Sequence, residues 1–139
     1  MYKSMIVTPD YDCIEINIEK QKLFLYKNGK TIIDTPCITG TKGVNDTPCG
    51  TFHIYYICHN VSMQKKNYGD EYHTHHAFFF APWGAGYGIH DALWKEDESY
   101  KPDTYLTDGS SGCVEVPLEV SEKLSREVYP GMPVVINEK

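Results

Sequence analysis

The chain has 139 residues, with 13 lysines and arginines against 19 aspartates and glutamates, for a formal net charge of −6. That length suits one domain with a real core and is short for two, and 41% hydrophobic with 23% charged residues excludes a disordered chain. Net acidity without a long basic run argues against nucleic acid or an anionic membrane surface as partner, and no stretch approaches the ~20 apolar residues of a transmembrane helix.

The first half reads as strands. Ile14, Ile16 and Ile18 alternate with Glu15, Asn17 and Glu19, which places three isoleucines on one face. The runs 23–26 and 31–34 flank Asn28-Gly29, a pair that tolerates the positive φ of a tight hairpin turn. The strand pattern continues through Cys37 and Ile38 to Gly40, followed by a loop over 41–50. Phe52, Ile54 and Tyr56 predict one further strand. The polar, aperiodic stretch 59–76 predicts a long loop, and 77–80 a short buried strand ended by Pro82. Pro117 suits the start of a helix, Val120, Leu124 and Val128 recur every four residues, and Pro130-Gly131 stops it before a last strand over 134–136. The expected class is mainly β, a β-rich α+β domain with one helix in the C-terminal half.

Cys13, Cys37, Cys49, Cys58 and Cys113 are odd in number and contain no CxxC pair, so neither a zinc ribbon nor a redox dithiol is indicated. Cys37 and Cys49 flank the 41–50 loop, but sequence leaves their separation open. His73, His75 and His76, with Cys58 and His59 upstream, lack clear ligand spacing and fit a solvated loop better than a metal site. Cys113 stands apart. It lies in Ser110-Ser111-Gly112-Cys113-Val114, where glycine permits close approach of a carbonyl and the N–H groups of Ser111, Gly112 and Cys113 are candidate oxyanion donors. A thiol is only a few per cent ionised at neutral pH, so it needs a base. His90, in Gly88-Ile89-His90-Asp91-Ala92, is the best candidate, with Asp91 able to orient it through its carboxylate or its carbonyl.

These segments resemble the L,D-transpeptidase catalytic domain, the YkuD family. The first strand pair over 14–26, Thr47-Pro48-Cys49-Gly50-Thr51-Phe52, His90-Asp91-Ala92 followed by Trp94 (the form seen in Firmicute members), and Ser111-Gly112-Cys113 occur in the family's order, over 14–136 of a single domain, 1–139. The resemblance implies a β-sandwich and Cys113 as nucleophile on the carbonyl of the third residue of a peptidoglycan stem tetrapeptide. It implies His90 as base, with Asp91, Ser111 and Gly112 in support. An amine of a neighbouring stem resolves the thioester into a 3→3 cross-link, or water hydrolyses it as in an L,D-carboxypeptidase. A weakly active wall-binding module is the third reading. No metal or organic cofactor is implied, carbapenem-type β-lactams are the expected inhibitors, and the place of action is outside the membrane, at the cell wall. Met1-Tyr2-Lys3-Ser4-Met5 has no apolar run of a secretory signal, so the expectation is a piece of something longer.

Trp83, Tyr87 and Trp94 are expected to line the cleft. Three departures accompany the match. Ser111 stands where His is common, the 91–109 connection is long, and Glu115 stands where Asn or Arg is usual. A carboxylate there opposes thiolate formation and, at the cleft rim, repels an anionic stem.

Overall fold

The computed structural model describes residues 11–62, 73–81 and 86–139. Nine strands appear among them: β1 (Cys13–Asn17), β2 (Lys22–Lys27), β3 (Lys30–Pro36), β4 (Gly50–His53), β5 (Tyr56–Ser62), β6 (His73–Ala81), β7 (Tyr87–Asp91), β8 (Val114–Val116) and β9 (Pro133–Asn137). They form a five-stranded sheet in the order β3-β2-β1-β9-β4 and a four-stranded sheet in the order β5-β6-β7-β8. A single helical turn, α1 (Tyr105–Asp108), lies in the 91–109 connection, and α2 (Leu118–Glu127) follows β8. The β-rich architecture with one substantial helix is the one expected.

Local chemistry accounts for the elements. At the β2–β3 turn, Asn28 (φ 52°) and Gly29 (φ 79°) both sit in the left-handed region, as the hairpin signal requires. In α2, Val120 and Leu124 are buried, Pro117 sits in extended conformation at the N-cap, and the chain leaves the helix at Val128. One apolar cluster joins Ile14, Ile16, Leu23 and Leu25 of the first sheet to Phe78, Phe80, Ile89 and Val114 of the second, with Leu124 of α2 among them.

One burial goes beyond the expected alternation, and two expectations are corrected. β1 is buried on both faces, Glu15 and Asn17 included. Glu15 accepts hydrogen bonds from Tyr26 Oη (2.9 Å) and Asn137 Nδ2 (3.3 Å), and Asn17 Oδ1 accepts from the Lys20 N–H (2.8 Å), so these polar side chains are satisfied without water. The run 52–56 is not one strand. Its apolar alternation continues, but Ile54 bonds the Gly131–Met132 backbone (N to Met132 O 2.9 Å; Gly131 N to Ile54 O 2.6 Å) while Tyr55 N already reaches Phe79 O (2.9 Å). The chain thereby passes from the first sheet to the second. Finally, 59–62 and 73–76 are paired strand, with His59 opposite His76 and Ser62 opposite His73. Polarity there reflects the edge strand β5 and the end of β6 that extends beyond its pairing with β7, not a loop.

The second sheet positions the chemistry. β7 and β8 run parallel with Ile89 opposite Val114 and His90 opposite Glu115. Because side chains alternate, Ile89 and Val114 enter the core, while His90 and Glu115 belong to the other face, and Cys113 lies in the turn just before β8.

Candidate active site

The turn that carries Cys113 is held by hydroxyl and backbone contacts, one of them reaching across 65 residues. Ser110 Oγ accepts from the Gly112 N–H (3.0 Å) and donates to the carbonyl of Cys113. Thr47 Oγ1 accepts from the Gly40 N–H (2.9 Å) and donates to the Gly112 carbonyl (2.8 Å). Thr41 N reaches the Ser110 carbonyl (3.1 Å), and Ser110 N reaches Thr39 O (2.9 Å). The two loops meet with no room to spare. A Cβ on Gly40 would lie 1.6 Å from Asn45 O, and one on Gly112, which has φ 130°, would lie 2.5 Å from a ring carbon of Tyr87.

Cys113 is half-buried, and its thiol lies 3.5 Å from the Gly86 carbonyl, towards which the S–H donates. Burial pushes the thiol up to about 11; a hydrogen bond from the Gly88 backbone opposes this and the Glu115 carboxylate adds to it. The Cys113 thiol is therefore neutral near pH 7.

His90 is 3% exposed. Its Nδ1 lies 2.8 Å from the backbone carbonyl of Asp91, and since a carbonyl only accepts, Nδ1 carries the proton and Nε2 is left unprotonated, able to accept one. The Trp94 ring lies against the imidazole at 5.8 Å between centroids, tilted by 40°. Burial lowers the His90 pKa, against the raising effect of Asp91, so the ring is held neutral. Cys113 immediately precedes β8, whose Val114 pairs with Ile89, and its thiol takes a hydrogen bond from the backbone of Gly88, two residues before His90, so both side chains belong to the same end of the β7–β8 pair.

Asp91 orients His90 through its carbonyl alone. Its carboxylate, 0% exposed, turns the other way and gathers donors from two elements. The N–H groups of His75 and His76, Thr74 Oγ1 and Ser121 Oγ of α2 all lie within 2.9–3.1 Å, and His75 Nδ1 at 3.3 Å. Burial opposes ionisation, yet these bonds hold the carboxyl below its usual range. Among the predicted site residues, Ser111 is exposed, and Gly112 is buried with its N–H committed to Ser110. This leaves the Cys113 and Ser111 N–H groups as candidate oxyanion donors. Tyr87 is half-buried over Gly112, Trp94 half-buried over His90, and Trp83 lies outside the described residues. Glu115 is 4% exposed, so it is not a rim residue facing a stem peptide; it acts on the thiol electrostatically from within.

No described group of three or more His, Cys, Asp or Glu side chains is arranged to hold a metal ion. His59 Nδ1 and His76 Nδ1 lie 2.8 Å apart as a cross-strand pair. All five cysteines are free thiols, Cys37 buried and Cys49 exposed. No described helix is long and apolar enough to cross a membrane. Sequence reasoning missed Thr47, Ser110, Thr74 and Ser121, although Thr47 and Ser110 lie inside motifs that it singled out.

A family model described as the L,D-transpeptidase catalytic domain (YkuD) matches residues 12–136. The chain belongs to the L,D-transpeptidase catalytic-domain family. Among solved structures, the Ldtfm–avibactam carbamoyl enzyme is 29% identical with a TM-score of 0.81, covering 96% of this chain and 51% of its own. An Enterococcus faecium L,D-transpeptidase mutant gives 28% and 0.79, covering 91% and 49%. The solution structure of an E. faecium L,D-transpeptidase catalytic domain gives 29% and 0.76, covering 91% and 97%. The chain thus spans about half the length of the first two and nearly all of the isolated catalytic domain. No curated protein matches it.

Proposed function

We propose that this L,D-transpeptidase-family domain is a cysteine acyltransferase that forms 3→3 peptidoglycan cross-links at the cell wall, outside the membrane. The observation that carries this reading is the His90 imidazole, fixed by Asp91 O with Nε2 unprotonated, on the strand whose Gly88 backbone, two residues before it, hydrogen-bonds the Cys113 thiol.

The thiol near 11 and the depressed imidazole oppose a preformed ion pair. The proton therefore leaves sulfur as attack occurs. The S–H swings from the Gly86 carbonyl to His90 Nε2, sulfur bonds the carbonyl carbon of the third stem residue, and an oxyanion forms beside the Cys113 N–H. His90 then returns the proton to the departing amine of the terminal D-Ala as the C–N bond breaks, leaving a thioester. An amine of a second stem, losing a proton to His90, displaces the sulfur and completes the cross-link. Tyr87, Trp94 and Trp83 are proposed to contact the stem.

Water in place of the amine makes the enzyme an L,D-carboxypeptidase; with Glu115 buried, no carboxylate at that position repels an incoming acceptor stem. Muropeptide analysis after incubation with disaccharide-tetrapeptide separates the outcomes: cross-linked dimers support the transferase, and tripeptide monomers alone support the hydrolase. The avibactam carbamoyl form of the relative at 29% identity supports covalent inhibition, so a carbapenem is expected to acylate Cys113.

A further inference from the structure

We infer that Thr47 is a positioning residue for acyl transfer, whose hydroxyl aims the Cys113 N–H at the oxyanion. This rests on the proposed role of Cys113 as nucleophile.

A trans peptide is planar, with its C=O and N–H pointing in opposite directions, so whatever holds the Gly112 carbonyl also sets the direction of the Cys113 N–H. Thr47 Oγ1 holds that carbonyl at 2.8 Å. The hydroxyl is itself directed, because it accepts the Gly40 N–H at 2.9 Å and has its one proton left for Gly112. Thr47 is 3% exposed, so no bulk water substitutes for it.

The mounting behind Thr47 is rigid. Gly40 is pressed against Asn45 O with no space for a side chain. Preceding it, Thr39 is locked to the β1–β2 turn by Gln21, whose Oε1 accepts the Thr39 N–H (3.0 Å) and whose Nε2 donates to Thr39 Oγ1 (2.7 Å). A hydrogen-bonded line thus runs from Gln21 through residues 39–40 and Thr47 to the peptide that carries the nucleophile. Ser110 withdraws the Gly112 N–H from the site and pins the Cys113 carbonyl, so the Cys113 N–H is the group that this mounting directs.

The test compares two reactions of one sulfur. Carbapenem acylation passes through an oxyanion; alkylation by iodoacetamide is a displacement that forms none. Both second-order rates are measured on parent, Thr47→Val and Thr47→Ser, with peptide mapping to isolate residue 113 from the other cysteines. Thr47→Val is expected to slow acylation about tenfold to a hundredfold, somewhat less than outright loss of an oxyanion donor. Alkylation should stay within about twofold, since thiol access and ionisation are untouched, and Thr47→Ser should restore acylation. If Val prevents folding, by thermal melt, Thr47→Ala takes its place and the same two rates are read. Equal slowing of both reactions, or an acylation rate unchanged in a folded variant, overturns the role of Thr47 while leaving the nucleophile intact. A parent that iodoacetamide labels but a carbapenem does not acylate overturns the reading of Cys113 and this inference with it.

Discussion

The two halves of the site are secured by different chemistry. On the cysteine side, the neutral hydroxyls of Thr47 and Ser110 and the Thr41 N–H bond backbone groups of a turn that no strand ladder holds. On the histidine side, a single buried carboxylate, Asp91, binds two backbone N–H groups and two hydroxyls and ties β7 to β6 and α2. Neutral hydrogen bonds aim a group at modest energetic stake, whereas a buried charge commits the surrounding fold to it. Damage on the cysteine side is therefore expected in rate, and damage on the histidine side in stability as well.

The sharpest break in that comparison comes from the reacting groups themselves. Cys113→Ala should abolish covalent adduct formation with a carbapenem, read by intact mass. His90→Ala should slow acylation by about 10²–10⁴ while leaving slow alkylation by iodoacetamide in place, since general-base catalysis contributes on that order. Asp91→Asn comes next and should act chiefly on the fold. Its amide turns a donor towards N–H groups that need an acceptor, at a cost of about 1–3 kcal/mol for each one left unpaired, measured by urea denaturation against Thr47→Val.

The pH dependence sharpens the same contrast. His90 titrates below its ordinary ~6.5 when folded, so the unfolded chain binds more protons and stability should decline as pH falls through that value. Asp91, also held below its usual range, contributes stability that is present above the unfolded carboxyl value of 3.8 and is lost as pH falls below it. The acylation rate should stay level below pH 6.5 before declining, and the alkylation rate of Cys113 should keep rising through pH 9 towards a thiol near 11. Smallest is Glu115→Gln: removing the carboxylate should lower the Cys113 pKa, seen as the alkylation profile moving to lower pH.

Legibility in the sequence followed the range of the interactions. Asn28-Gly29 announced its hairpin because the turn's positive φ is a property of the two residues, and α2 announced itself through the four-residue recurrence of Val120 and Leu124. The passage from β4 to β5 was hidden, because alternation persists through Ile54 while only the pairing partner changes. His59 and His73–His76 read as loop because polar residues on an edge strand, and on the end of its neighbour that outruns β7, carry no core signal. In the site, Cys113 and His90 stood out by local context. Thr47 did not, since its partner lies 65 residues away, and nothing local marks Glu115 as buried.

The central claim is that Cys113 is the nucleophile of this fold, and mass spectrometry of the intact, folded protein after mixing with a carbapenem tests it most directly. One adduct, mapped to the peptide containing Cys113 and absent from Cys113→Ala, is the predicted result. A folded protein without an adduct, or an adduct placed on Cys49 or Cys58, would contradict it.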